Sequence, residues 1–196
     1  MKRAFDILVS LIVLTLFLPL GLILAFCIVL GSKGGIFYRQ KRVGQHKIPF
    51  YLLKFRSMRL NAELQGQLTV GSRDPRITKV GYYLRKFKLD EFPQFINVLK
   101  GDMSIVGPRP EVPKYVELYN EEQLQILAVK PGITDYASIA YFHENEILAQ
   151  ATDPEKAYIE EVLPAKIELN QRYLAKPTLA TDLRIMMLTF LKILGR

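Results

Sequence analysis

Residues 7–30, ILVSLIVLTLFLPLGLILAFCIVL, hold no charged side chain over 24 positions. At about 1.5 Å per residue, that is enough helix to cross a hydrocarbon core of about 30 Å. The run is too long for the apolar part of a signal peptide, and no small-residue cleavage pattern follows it, so it is expected to stay attached. A single transmembrane helix is the simpler reading. Against it, Lys2 and Arg3 precede the run and Lys33, Arg39, Lys41 and Arg42 follow it, so the positive-inside preference holds both ends in one compartment. Pro19, with Gly21 close behind, sits mid-run; it removes a backbone hydrogen bond and kinks a helix, which lets the segment enter one leaflet and leave by the same face. Prolines also occur in spanning helices, so both readings stand on the residues alone.

Gly31–Gly35 (GSKGG) is a turn that closes the membrane segment. Beyond it, 36–38 and 50–53 read as short strands of a hairpin around a basic loop, Arg39–Pro49. Residues 61–74 are polar and rich in Gln and Gly, a mobile loop. Residues 82–87 form a helical segment expected to turn its aromatic face inward. An amphipathic helix is expected over 114–129, ending before Pro131-Gly132, and a longer one from Asp153-Pro154, bent at Pro164 and stopped by Lys176-Pro177. Residues 178–194 carry only Asp182, Arg184 and Lys192 as charges. They form either an interfacial helix lying on a membrane or a core helix.

The chain of 196 residues suits one domain of ordinary size. Its single cysteine, Cys27, lies inside the apolar run, and only His46 and His143 are present. Disulfides and Cys- or His-based metal sites are therefore excluded, and a metal here would be a hard, oxygen-liganded ion such as magnesium. The net charge of +8 is uneven: residues 1–110 carry 18 Lys/Arg against 6 Asp/Glu, 111–168 carry 4 against 12, and 169–196 carry 5 against 1. Basic segments beside apolar ones fit an anionic membrane surface, with nucleic acid the competing polyanion.

The chemistry concentrates in residues 88–110, KLDEFPQFINVLKGDMSIVGPRP. Asp90 sits where an N-cap is expected, Pro93 fits a first helical turn, and Gly101 closes the apolar pattern of Phe92, Phe95, Ile96, Val98 and Leu99. Asp90 and Glu91 thus mark the positive end of a helix. Upstream, Arg73, Arg76, Lys79, Arg85, Lys86 and Lys88 place six cations in sixteen residues. A carboxylate pair in such a field can hold a divalent metal against phosphate oxygens, or one carboxylate can attack phosphorus. An Asp-Glu pair that merely begins a helix beside a solvated basic face meets the same pattern.

Residues 37–58 (FYRQKRVGQHKIPFYLLKFRSM), 76–110 (RITKVGYYLRKFKLDEFPQFINVLKGDMSIVGPRP) and 130–139 (KPGITDYASI), behind an apolar N-terminal segment, resemble the bacterial sugar transferases, also called monotopic phosphoglycosyl transferases. The resemblance covers nearly the whole chain through several long motifs in order. It implies a mainly α fold with a small β-hairpin: a re-entrant helix-break-helix over 1–32, then a compact cytoplasmic catalytic domain over 33–196 with amphipathic interfacial helices, the last at 178–194. It implies transfer of a sugar 1-phosphate from a UDP-sugar to undecaprenyl phosphate at the cytoplasmic face of the bacterial inner membrane. Magnesium is the implied cofactor, membrane lipids rather than nucleic acid are the implied surroundings, and a homo-oligomer is compatible.

By the same resemblance, Asp90 is the nucleophile that carries a covalent phosphosugar, and Glu91 is a magnesium ligand beside Asp90 or a base for the lipid phosphate. Arg109, held by Pro108 and Pro110, is the phosphate grip. Lys54, Arg56, Arg85 and Lys88 are further substrate contacts. Lys2-Arg3 with Asp6 matches the family's basic-basic-x-x-Asp start, in which Asp6 is expected to pair with a cation such as Arg3 and fix the hairpin at Pro19. Two positions depart from the pattern: Leu18 replaces a common Ser before that proline, and AYFHENEIL follows the KPGIT motif where many relatives carry an arginine. His143 is the candidate substitute there. The rival classes are a membrane-anchored module that binds anionic lipid or nucleic acid without chemistry, and a nucleotide-sugar hydrolase.

Overall fold

The computed structural model describes residues 1–66, 68–71 and 74–195. Helix α1, Lys2–Gly31, is helical throughout, Pro19 included, rather than divided there into two helices. Its buried or half-buried positions Asp6, Ser10, Val13, Phe17, Gly21, Leu24 and Ile28 recur every three or four residues, which places them in one stripe along the helix. That stripe lies on the rest of the protein from end to end. Asp6 accepts hydrogen bonds from Ser104 Oγ (2.9 Å) and the Ile105 amide (3.3 Å), Phe17 stacks on Phe92 at 3.8 Å, and Ile28 packs with Phe55 and Leu84. Pro19 lies on the exposed face, among Leu8, Leu11, Ile12, Leu16, Leu22, Ile23 and Phe26, all open to the surroundings.

Both ends of α1 are tied down by charge. Lys2 donates to Asp182 (2.5 Å) and to the Val106 carbonyl (3.1 Å), and Arg3 donates to the carbonyls of Val98 and Leu99. Asp6 therefore pairs with a hydroxyl and a backbone amide rather than with the expected cation. At the other end Arg56 Nη2 donates to the Ser32 carbonyl (2.7 Å), to Ser32 Oγ (3.0 Å) and to the Ile28 carbonyl (3.4 Å). The last carbonyls of a helix run short of intrahelical donors; that of Ile28 accepts from the Ser32 amide as well (3.2 Å), and a buried guanidinium is a fitting further partner.

Strands β1 (Phe37–Val43) and β2 (Pro49–Phe55) pair antiparallel. The basic residues Arg39–Arg42, expected in a loop, are strand residues, with Gln45–Lys47 making the turn. Helix α2, Lys79–Lys86, is capped by the Thr78 side chain; its Tyr83, with Phe87 just beyond, is exposed, and Leu84 faces the core, so the aromatic face points outward, opposite to expectation. Helix α3, Gln94–Lys100, ends at Gly101 with φ 94° as expected, a left-handed turn that glycine tolerates. Its buried Asn97 accepts from the Leu53 amide and donates to the Tyr51 carbonyl, fixing α3 to β2.

Strand β3 (Ser104–Val106) pairs in parallel with β4 (Gly132–Thr134), a second small sheet that the hairpin reading does not contain. Between them the expected helix over 114–129 is two pieces, α4 (Pro113–Val116) and a 3-10 turn at Gln123–Ala128. Helices α5 (Tyr136–Ala140), α6 (Glu144–Gln150) and α7 (Pro154–Ala157) follow. The predicted bend before Pro164 is a π-helical turn, Tyr158–Val162, leading into α8, Leu163–Ala175. Helix α9, Leu179–Ile193, buries Asp182 and Ile185 while Leu183, Met187, Phe190 and Leu194 stay exposed.

Candidate active site

Asp90 and Glu91 lie in a 3-10 turn, Leu89–Glu91, one turn ahead of α3, so neither carboxylate is the N-cap; Pro93 holds that place. Lys88, at φ 55°, bends the chain between α2 and this turn. The two acids have different surroundings. Glu91 receives both prongs of the Arg109 guanidinium, Nη1 on Oε2 at 3.1 Å and Nη2 on Oε1, and lies 3.3 Å from Lys54 Nζ. Burial opposes its charge, but Arg109 and Lys54 outweigh burial and hold Glu91 well below the usual carboxylate range. Asp90, 5% exposed, makes no such pair. Burial pushes its carboxyl up against the pull of Lys54, Arg85 and Lys88, and the adjacent Glu91 charge adds to the rise.

Asp90, Lys54 and Arg85 are shared by the linings of two cavities. One, about 230 Å³, is walled by β1, β2 and residues 57–63, with Gly66, Thr69 and Arg76, and bristles with cations: Arg42, Arg56, Arg59 and Arg76 besides Lys54 and Arg85. The other, about 390 Å³, continues past Glu91, Lys88 and Arg109 to an apolar wall that includes Phe92, Phe95, Ile133, Met186, Phe190 and Ile193. Asp90 thus sits where a polar chamber meets an apolar one. Lys54, at the junction, is pushed down to about 8 by burial, with Glu91 opposing.

The PRP turn owes its position to two glycines. Gly107 donates to the Thr134 carbonyl (3.1 Å) and Gly132 to the Pro108 carbonyl (3.0 Å), so the chain just past β3 crosses the start of β4 with no room for side chains. Asp135 then accepts from the Arg109 amide (2.9 Å) with one oxygen and from the Ser138 amide (2.6 Å) with the other, capping α5 and fixing Arg109 together. Behind the turn, Glu111 accepts from the Tyr158 hydroxyl (2.6 Å) and Lys166 (3.3 Å), and Lys166 also reaches Glu144 (2.9 Å). Asp135 and this buried network escaped the sequence reading. An Asp three residues before Ser138 was a visible cap signal; the pairing of residues 111 and 166, far apart in the chain, had none.

The structure thus gathers Asp90, Glu91, Lys54, Arg85, Lys88 and Arg109 around one junction. Arg56 lines the polar chamber and bonds the end of α1 through Nη2 alone. His143 is exposed, 3.7 Å from Glu146, and is not in either lining; its neighbour Phe142 is, with Lys88 Nζ 4.9 Å from its ring centre. Arg76 forks onto Asp74 and donates to the carbonyls of Ala62, Gly66 and Leu68, so it ties down the 61–74 loop. Arg73 lies outside the described residues. Among the described residues, no group of three or more His, Cys, Asp or Glu gathers as a metal cluster.

Among the described residues Asp90 has no ion-pair partner and is ringed by cations, in a chain that also carries a long helix with an exposed apolar face. The family model for bacterial sugar transferases matches residues 1–196, and the chain belongs to that family. It is 43% identical over 143 residues to the UDP-N-acetylgalactosamine-undecaprenyl-phosphate N-acetylgalactosaminephosphotransferase of Aeromonas hydrophila, covering 71% of this chain and 34% of that protein. Over 121 residues it is 44% identical to a putative undecaprenyl-phosphate N-acetylgalactosaminyl 1-phosphate transferase of Bacillus subtilis, covering 62% of this chain and 68% of that one. The UDP-glucose:undecaprenyl-phosphate glucose-1-phosphate transferase of Escherichia coli is 37% identical over 202 residues, covering 98% of this chain and 40% of its own length. The chain therefore spans well under half of the first and third of these relatives.

Proposed function

We propose that this protein transfers a sugar 1-phosphate from a UDP-sugar to undecaprenyl phosphate, with Asp90 as the nucleophile. The observation that carries the reading is the unlike state of the two carboxylates at the meeting of the two chambers: Glu91 neutralised by Arg109 and Lys54, Asp90 without an ion-pair partner among the described residues. An Asp90 oxygen attacks the sugar-bearing phosphorus, the bond from that phosphorus to the oxygen of the other phosphate breaks, and UMP leaves with the electron pair. An oxygen of the lipid phosphate then attacks the same phosphorus and the Asp90 carboxylate departs, giving the diphosphate-linked lipid sugar. Lys54, Arg85 and Lys88 lower the repulsion between anionic nucleophile and diphosphate. Arg109, kept in place by Glu91 and Asp135, faces the phosphates as their charge moves.

Magnesium fits Asp90, since hard oxygen ligands from one carboxylate and a diphosphate are what this ion ordinarily takes, and it would neutralise phosphate charge there. Glu91 has its oxygens committed to Arg109 and Lys54, so we assign it to positioning Arg109 rather than to the metal. The proposed membrane arrangement takes its support from α1. A helix of 30 residues, about 45 Å long, has both ends and its middle held against one domain, which favours seating its outer apolar face in one leaflet over crossing the bilayer. On this reading the helix stays unbroken instead of forming a helix-break-helix, and the domain lies on the cytoplasmic face, where nucleotide sugars are made.

The test is UMP release by the purified chain with magnesium, undecaprenyl phosphate and UDP-glucose, UDP-N-acetylgalactosamine and related donors. Release that requires the lipid in steady state and is lost in Asp90→Asn is expected, together with a sugar-phosphate adduct on an Asp90 peptide. Sustained release without lipid would make the protein a hydrolase, and activity surviving Asp90→Asn would exclude this nucleophile.

A further inference from the structure

We propose that the face of α9 carrying Met186, Thr189, Phe190 and Ile193 is the binding wall for the first isoprene units of the lipid acceptor, and that the cation-rich chamber of β1, β2 and residues 57–63 takes the nucleotide. The proposal rests on the transfer reading above and adds where each substrate lies. Those four residues recur at intervals of three, one and three, so they occupy one face of α9, and all four line the larger cavity. The polar and apolar groups of that cavity are segregated. Lys88, Arg109, Lys54 and Arg85 gather near Asp90, whereas α9 contributes apolar side chains apart from Thr189, whose hydroxyl is engaged by Thr134 Oγ1 (2.6 Å) and the Ile185 carbonyl (2.8 Å); Ser138, Glu144, Asn145 and Lys166 complete the polar lining.

An amphiphile with a phosphate head and a hydrocarbon chain matches that order, head at Asp90 and chain along α9. A cavity of about 390 Å³ holds only the head and first units of a long polyprenyl chain, and the rest needs an apolar route outward. Exposed Leu183, Met187, Phe190 and Leu194 provide it, continuous with the cavity through Phe190. The helix is also tied to the membrane segment, since buried Asp182 accepts from Lys2 at the start of α1. The smaller chamber offers no comparable apolar wall. Of its five arginines, Arg42, Arg56 and Arg76 already bond protein groups, which leaves Arg59 and Arg85, with Lys54, as the cations suited to a diphosphate.

The experiment uses the full chain in nanodiscs of phosphatidylethanolamine and phosphatidylglycerol, and a polyprenyl phosphate bearing a diazirine on its second isoprene unit. Labelled peptides from residues 186–193 are expected, with undecaprenyl phosphate competing and UDP not competing. Phe190→Asn and Ile193→Asn, both at positions open enough to accept a polar side chain, should each cut labelling at least fivefold. Each should also raise the KM for undecaprenyl phosphate at least tenfold, against less than twofold for the UDP-sugar. Labelling within residues 37–76 that UDP displaces, or labelling indifferent to both variants, overturns the assignment. Labelling needs no turnover, so a chain that labels on α9 yet releases no UMP counts against the transfer reading and not against this site.

Discussion

Glu91 and Arg109 form a two-pronged ion pair across the site, Arg109 Nη1 lying 3.1 Å from Glu91 Oε2 while Nη2 bonds Oε1. A guanidinium held this way is already aimed before substrate arrives, and removing the carboxylate frees it. Glu91→Gln and Arg109→Gln should each lower kcat/KM for the UDP-sugar by more than a hundredfold. The double variant should be little worse than either single one, so the coupling in the cycle should approach the single loss itself, about 2.7 kcal/mol for a hundredfold. Strictly additive losses would mean that the two side chains act separately.

The acid limb of the rate profile should report Asp90. Burial raises its carboxyl, so the ionised nucleophile is lost as pH falls through a value above the ordinary aspartate one. Arg85 is one of the cations that pull it back down. Arg85→Met should therefore move the acid limb of the single-turnover UMP burst to higher pH, and a shift to lower pH would contradict the electrostatic account.

Lys54 sets the alkaline side. Burial pushes it down to about 8, so in the free enzyme its positive charge, present below that pH, is lost above it. UMP release should fall as pH rises past about 8 in the parent chain. Lys54→Arg keeps the charge at every accessible pH and should carry the activity to higher pH, even if the maximum rate drops. An alkaline limb unchanged in that variant would point to another group.

Asp6 anchors the membrane helix without an ionic partner. Its oxygens satisfy Ser104 Oγ and the Ile105 amide, and it is 3% exposed. Asp6→Ala leaves that buried hydroxyl and amide without an acceptor, at about 1–3 kcal/mol for each unsatisfied group. The thermal midpoint in detergent should fall by several degrees, whereas Pro19→Ala, on the exposed face of α1, should leave it unchanged or raise it.

Much of this was legible in local signals. The apolar run, the Asp153 cap, Gly101 and the LDE and PRP clusters all mark features whose causes lie within a few residues. What was missed depends on partners distant in sequence. The 114–129 periodicity describes a face that does pack, yet the chain is pinned to β1 by Glu111 and Arg42 and breaks into two short pieces. Tyr83 and Phe87 read as core because aromatic residues usually are; an exposed apolar surface is the exception that a membrane allows. Asp6 was rightly singled out, but its partner lies on β3, 98 positions away, where sequence offers no spacing to read.

The close crossing of Gly107, just past β3, against Gly132 at the start of β4 makes the sharpest demand on the chain. A Cβ on Gly132 would lie 2.2 Å from the Gly107 nitrogen and 2.4 Å from its oxygen, both backbone atoms, so no side-chain rotation relieves the clash. The strands would have to separate, and with them would move Pro108–Pro110 and the Arg109 amide that Asp135 holds. Gly132→Ala should cost about 4 kcal/mol or more, a loss reserved for strain of this kind. Any folded fraction should turn over poorly, since Arg109 would leave Glu91. Gly35→Ala is the control: its added Cβ meets nothing closer than the Phe37 carbonyl oxygen at 3.9 Å, and it should lie within about 0.5 kcal/mol of the parent. Thermal unfolding and UMP release, measured together on both variants, decide the matter. A Gly132→Ala protein as stable and active as the Gly35→Ala control would mean that the two strands do not cross there, and that the PRP turn is positioned by something else.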